Sequence, residues 1–173
     1  QFRNDLGWAA PWGPEIAIAQ FEKMEHLWAA GVADLRQAVV RAAPVYRADA
    51  KKELGVAQAL LACIRSTIHV GKFYLLRGRL EKAGAGEQMR LLDEMETVAR
   101  EELRNAREVL PAVRADSRLG YANSAGNEQI GVPRAGIYSA ASIEKKIAQV
   151  ERMLARELPA LRERLRHAHG ASR

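Results

Sequence analysis

The sequence predicts an all-α fold, an up-down helical bundle of about four long helices, and three observations carry that prediction. Apolar residues recur at steps of three and four over four long stretches, the spacing that keeps them on one helical face. Nearly half of the residues are apolar, yet Ala and Leu dominate and aromatic residues make up only 6%, which favours helix over sheet. No segment alternates apolar and polar residues over the length of a strand, and no repeat of solenoid period is present. At 173 residues the chain suits one domain with a sizeable core, so 1–173 is expected to be a single helical domain. It opens on Gln1 rather than Met, which reads as a piece of a longer multidomain or processed protein.

The elements follow in order. Residues 1–13 form an irregular arm, punctuated by Asn4, Gly7, Pro11 and Gly13, with Phe2, Trp8 and Trp12 supplying large apolar surface. Pro14 suits the first helical position, where its missing N–H costs nothing. The first helix then places Phe21, Met24, Trp28, Val32, Leu35 and Val39 on one face. Ala43-Pro44 stops it, because the residue before a proline avoids the helical region.

The second helix is the most regular, with Leu54, Ala57, Leu61, Ile64, Ile68, Gly71 and Leu75 forming a heptad-like seam. A glycine inside a helix costs about 1 kcal/mol relative to alanine, so Gly71 implies a close helix approach. Gly84-Ala85-Gly86 supplies a C-cap and turn. The third helix carries Met89, Leu92, Met95, Ala99, Leu103, Ala106 and Leu110, and Pro111 is expected to kink or end it. A long loop follows at 116–138, before the last helix, punctuated by Gly120, Gly126, Gly131, Pro133 and Gly136. Loops of about twenty residues are usually functional or disordered. Ser139 is a good N-cap for the fourth helix, whose stripe is Ile143, Ile147, Val150, Leu154, Leu158, Leu161 and Leu165, with Pro159 as a candidate kink.

The net charge is +6, but acids and bases are interleaved along each helix. That is the pattern of solvated faces and i,i+4 pairs, and a nucleic-acid binder would show a clustered stripe, so no nucleic-acid partner is expected. Only the tail from Arg162 to Arg173 is locally basic, which reads as a frayed helix end. No apolar run approaches the roughly eighteen residues of a membrane span, so no membrane partner is expected either. Cys63 lies on an apolar helical face and reads as a buried free thiol.

Two polar clusters and the loop are the candidate sites. On the second helix, Ser66, His69, Phe73 and Arg77 share one face and offer groups suited to a sugar or a carboxylate, with an inter-helix hydrogen-bonded side as the plainer reading. On the third helix, Glu101 and Asn105 share a face beside Glu94 and Glu102, and either Glu101 or Glu102 has Arg65 or Arg77 as a prospective partner. Glu94 and Glu101 stand two turns apart, about 10 Å along the axis, so structural salt bridging is expected in place of a glycosidic acid pair. The histidines are His26, His69, His167 and His169; no Glu-x-x-His pair or Cys-x-x-Cys is present and His167-x-His169 lies in the frayed tail, so no cofactor or metal is expected. In the loop, Asp116 and Arg118 flank Ser117, which permits an Asp–Arg pair or an Asx turn, while Gly120 precedes Tyr121. Tyr121 and Tyr138 offer stacking or hydrogen-bonding surface.

Three stretches together carry a resemblance. They are Gly7-Trp8 to Trp12 with Phe21, Glu25 and Trp28; Arg65-Ser66-Thr67 to Phe73 and Arg77; and Glu101/Asn105 leading into Asp116-Ser117-Arg118-Leu119-Gly120-Tyr121. Their order resembles the C-terminal helical domain of large bacterial exported glycoside-hydrolase-like proteins, similar in layout to α-glucuronidases. His69-Val70 and Ala122-Asn123-Ser124-Ala125-Gly126 depart from that pattern. The resemblance implies an accessory, non-catalytic domain of a secreted, extracellular or periplasmic carbohydrate-active enzyme. Such a domain would pack on a catalytic (β/α)₈ barrel and rim its saccharide cleft. Its partners would be the other domains of the parent chain, with saccharide as a second candidate. In that setting Arg118, Tyr121, Trp8, Trp12 and His69 would contact the partner or ligand, and Arg77, Glu101, Asn105 and Asp116 would support the loop. The alternative is a stand-alone helical protein–protein interaction module that uses its apolar arm or basic tail.

Overall fold

The computed structural model describes residues 6–116, 118–119 and 139–170. The fold is all-α, and no strand occurs among the described residues. A 3₁₀ turn at Gly7–Ala9 precedes α1 (Pro14–Arg41), α2 (Arg47–Leu80) and α3 (Ala85–Ala115). The last long helix is built as α4 (Ala140–Arg152), a π-helical turn (Met153–Glu157) and α5 (Leu158–Gly170). Short links make α1, α2 and α3 successive neighbours: α1 packs on α2, α2 on α3, and α3 on α4 and α5.

Helix α2 uses two faces. Ile64 and Ile68 meet Ile18 of α1, with Phe21 and Leu75 packed around them. Gly71 is where the two helices come closest: a Cβ there would lie 2.8 Å from Ile18 Cγ1 and 2.9 Å from Ile18 Cδ1. The close approach inferred from the seam is therefore present. The other face of α2 turns to α3. Leu76 and Leu80 join Leu91, Leu92, Met95 and Val98 of α3 and Leu158 of α5 in one cluster. Nearer the loop end, Ala59 and Ala62 join Ala106, Val109 and Val113 of α3 and Ile143 of α4 in another.

Several element ends follow the sequence. Gly13 takes φ 85° before Pro14, which occupies the first turn of α1. Ser139 caps α4, its Oγ accepting from the Ser142 N–H at 3.2 Å. Other ends differ. Pro111 does not end α3, which continues to Ala115 because Val109 and Val113 on either side are buried in the core. Gly84 stands at the N-cap of α3 in place of capping α2, which stops at Leu80. At Pro159, the candidate kink, the last helix continues through a local π turn. Pro159 has no N–H for the Ala155 carbonyl, and its ring would strike that carbonyl in a regular α-turn. The wider π turn just before it relieves the clash, with the Leu158 N–H bonding the Met153 carbonyl.

The basic tail is tied to the fold at Arg162, whose guanidinium reaches Asp93 at 2.6 Å and Glu96 at 3.2 Å on α3. Cys63, read as a buried thiol, is only half-buried. An 18-residue window of α2 has mean hydropathy 1.3, so α2 is long and apolar enough to cross a membrane by length and composition. This amends the expectation that no stretch reaches that threshold. The helix packs between α1 and α3, which accounts for its apolarity on two sides.

Candidate functional site

The polar centre of the molecule is Glu102, not the Glu101 that the sequence brings forward. In α3 the buried row Leu92, Met95, Ala99, Glu102, Ala106, Val109 and Val113 advances by three and four, so Glu102 occupies a seam position. In α2 the row Ala59, Ala62, Ser66, His69, Phe73, Leu76 and Leu80 does the same and places Ser66 and His69 opposite it. In α4, Lys146 follows buried Ile143 by three residues. Polar side chains thus interrupt three apolar seams at one level and meet there.

Their geometry is closed. Glu102 Oε1 accepts from Ser66 Oγ at 2.5 Å and from Lys146 Nζ at 2.6 Å. Glu102 Oε2 accepts from His69 Nδ1 at 2.7 Å and from Asn105 Nδ2 at 3.4 Å. Lys146 Nζ also donates to Ser66 Oγ at 2.8 Å, and Asn105 Nδ2 to the Ala62 carbonyl at 2.9 Å. Burial opposes the charge on Glu102. Hydrogen bonds from His69, Lys146 and Ser66 outweigh it and hold the carboxyl at about 2. An ionised carboxylate only accepts, so Nδ1 of His69 carries the hydrogen that it shares, and Nε2 is left facing outward toward Glu101 at 3.9 Å.

Outside this network lies a polar cleft of about 520 Å³ between α1, α2 and α3. Glu22 and Glu25 of α1 line it, with Arg65, Ile68, His69 and Lys72 of α2 and Glu101, Arg104, Asn105 and Glu108 of α3. Lys72 pairs with Glu22 at 2.7 Å and Arg65 with Glu25 at 2.8 Å. His69 is therefore shared between the buried network and the cleft wall.

The network is poorly suited to nucleophilic catalysis. Ser66 gives its hydrogen to a carboxylate held near 2, which is a weak base at neutral pH. Among the described residues no group of three or more His, Cys, Asp or Glu side chains is placed to hold a metal ion.

The other sequence candidates scatter. Trp8 is 47% exposed and sets its ring edge-on against Phe21 at 5.8 Å, whereas Trp12 is 65% exposed. Arg77 stacks over the Tyr74 ring, 4.4 Å from its centroid. Asp116 is buried at the end of α3, where Arg118 contacts it through its backbone N–H (3.0 Å) and its guanidinium (2.6 Å). Those bonds hold the Asp116 carboxyl at about 2 and push the Arg118 guanidinium up. Arg118 also approaches Glu53 at 3.9 Å. Tyr121 and Tyr138 lie outside the described residues.

Arg77, Glu101 and Asp116 are expected to support the loop together, but the helix geometry keeps Arg77 and Glu101 away from Asp116. Arg118 sits beside Glu53, and Arg77 lies 24 residues further along α2, about 36 Å at 1.5 Å per residue. Glu101 is 15 residues back along α3, about 22 Å away. Asn105 serves the Glu102 network.

The chain matches no protein-family model, no curated protein and no solved structure. The site therefore stands on its own geometry.

The sequence reading puts Met24 and Trp28 on the core face of α1, but both are exposed and belong to a second surface. On α1, Ile16, Met24, Leu27 and Gly31 advance by eight, three and four, so they share one face, and all are exposed. Gln20 is the polar interruption between the first two. Leu27 is 72% exposed and Ile16 59%. Met24, Leu27, Trp28, Gly31 and Val32 line an apolar cleft of about 640 Å³ with Ala57 of α2. The sequence signal is a second, broken apolar row on α1, one step out of phase with the core row.

Proposed function

We propose that this chain is an accessory helical domain that docks through the outer face of α1 onto a neighbouring domain of a secreted carbohydrate-active enzyme. The observation that carries the docking is the exposed apolar row Ile16, Met24 and Leu27 beside the cleft under Trp28. An exposed apolar row of that kind marks an interaction site. Trp12 continues exposed apolar surface into the N-terminal arm. Gly31 leaves open space, since a Cβ there would meet nothing within 4 Å, so a partner element has room to approach the backbone. The carbohydrate setting is supported by the resemblance of the Asp116-Ser117-Arg118-Leu119-Gly120-Tyr121 stretch. The closed Glu102 network supports a bracing role over a catalytic one.

The test is made in the full-length parent. Leu27→Glu with Met24→Glu leaves the thermal unfolding of the isolated chain nearly unchanged, because neither side chain is in the core. In the parent the same pair uncouples this domain, seen as separate unfolding transitions and faster proteolysis at the junction. Arg118→Ala with Tyr121→Ala lowers parent activity on its saccharide. Parent unfolding, proteolysis and activity that are all unaltered would overturn the reading. Capture of a separate protein on the α1 face, with the parent unaffected, would favour the stand-alone interaction module.

A further inference from the structure

The cleft between α1, α2 and α3 is a different site on a different face of α1 from the docking row, and it carries its own inference. We propose that it binds a neutral, polyhydroxylated ligand of mono- to disaccharide size. The α1 side of the cleft is internally satisfied, through Glu22–Lys72 and Glu25–Arg65. The α3 side is not. Glu101, Arg104 and Glu108 advance by three and four along α3, so they form one row.

Glu101 stands 3.9 Å from His69 Nε2, and Glu108 stands 3.9 Å from Arg65. Both separations exceed a hydrogen bond. The Arg104 guanidinium makes no ion pair or hydrogen bond to another described residue. At the base of that row His69 is anchored by Nδ1 on Glu102, with its own side chain only 13% exposed. A guanidinium with no partner among the described residues, two carboxylates with spare acceptor capacity and a fixed imidazole nitrogen therefore line one wall.

The charge balance selects the ligand class. Four carboxylates (Glu22, Glu25, Glu101, Glu108) face three permanent cations (Arg65, Lys72, Arg104), with His69 beside them. A ligand with a full charge of either sign meets like charge on both walls. A hydroxyl is both donor and acceptor, so adjacent hydroxyls give hydrogens to Glu101 and Glu108 and accept from Arg104. Among the described lining residues Ile68 is the one aliphatic side chain, and it is buried at the floor against Ile18, so the reachable wall is polar. The volume, about 520 Å³, lies within the range of small-molecule sites.

The experiment is a titration of the chain with xylobiose, cellobiose and maltose, followed by NMR at the His69 imidazole and the Arg104 Nε. Glucuronate and argininamide serve as the charged comparisons. At least one neutral sugar gives saturable shifts at both groups, and both charged probes bind more weakly. Arg104→Ala, an exposed substitution, weakens that binding roughly tenfold or more, as expected for a lost charge-assisted hydrogen bond. Arg107→Ala, whose guanidinium instead pairs with Glu151, leaves it unchanged. Absence of saturable shifts with all three sugars overturns the proposal. So does tighter binding of glucuronate or argininamide, or sugar binding that survives Arg104→Ala intact. None of these readouts involves the parent or the outer face of α1, so this proposal and the docking reading fail separately.

Discussion

Lys146 Nζ lies 2.6 Å from Glu102 Oε1, a contact between residues 44 apart in sequence that ties α4 to α3. The same ammonium bonds Ser66 of α2, so one side chain joins three helices at one level. An apolar seam fixes which faces meet but tolerates sliding by a turn. A polar cluster with every acceptor filled does not, because any slide would leave Glu102 buried without donors.

Glu102→Gln is therefore expected to destabilise the fold by about 2–4 kcal/mol, since it leaves Lys146 and His69 facing an amide that cannot satisfy both. The measurement is urea unfolding at pH 7. Lys146→Met costs less, because the lysine side chain is 37% exposed and the carboxylate keeps three other donors. In the double variant the effects are non-additive. Simple additivity would remove the direct pairing from the account.

Acid is the second probe. The Glu102 carboxyl lies at about 2 in the fold against 4.5 as a free side chain. A depressed carboxyl contributes its stabilisation above the unfolded value and loses it as pH falls through the folded one. Stability thus holds above about pH 5 and declines from there toward pH 2, with roughly 3 kcal/mol of the loss due to Glu102. Asp116, lowered from 3.8 to about 2, adds to the same trend. Urea midpoints at pH 7, 5, 4 and 3 measure it. The profile of Glu102→Gln should be flatter than the wild type by the Glu102 share, and parallel profiles would rule that share out.

Much of the fold was legible because it rests on local signals. Pro14, Ser139 and the seam of α2 mark elements through short-range physics. The limit of local signals appears at Pro111, where packing on both sides carries α3 through a proline, whereas the candidate kink at Pro159 coincides with a π turn. The site was legible only in part. Ser66, His69 and Asn105 stood out as polar residues on helical faces. Glu102 is named only beside Glu101, because Leu103 also fits a three-and-four row through Ala99 and Ala106, whereas the buried phase through Met95, Ala99, Ala106 and Val109 takes Glu102. Lys146 sits in the run Ile143-Glu144-Lys145-Lys146-Ile147, where either lysine reads as solvated. Its role depends on partners 44 and 80 residues away, which no local pattern encodes.

At the end of α3, Arg118→Ala should raise the Asp116 carboxyl toward its ordinary value, because side-chain and backbone bonds from Arg118 are what hold it down. The backbone N–H at 118 remains, so the return is incomplete. NMR titration of the Asp116 carboxyl carbon reads this directly. An unmoved titration would show that another cation governs Asp116.

Gly71 gives the sharpest packing test. A methyl group at this position would stand 2.8 Å and 2.9 Å from two Ile18 side-chain atoms, closer than carbon atoms pack. Alanine favours the helix by about 1 kcal/mol over glycine, and overpacking a tight seam costs about 1–3 kcal/mol. Ile18 is itself buried against Ile64 and Ile68 and has little room to turn aside. The cost therefore wins, and Gly71→Ala should lower stability by about 1 kcal/mol. Ile18→Ala removes both clashing atoms and is destabilising alone through the cavity it leaves. Combined with Gly71→Ala it should be less harmful than the sum, since the new methyl fills part of that space and the helix propensity is gained without a clash. A double-mutant cycle by urea unfolding decides the matter, and an additive cycle would mean that α1 and α2 do not meet at Gly71 as closely as the structure places them.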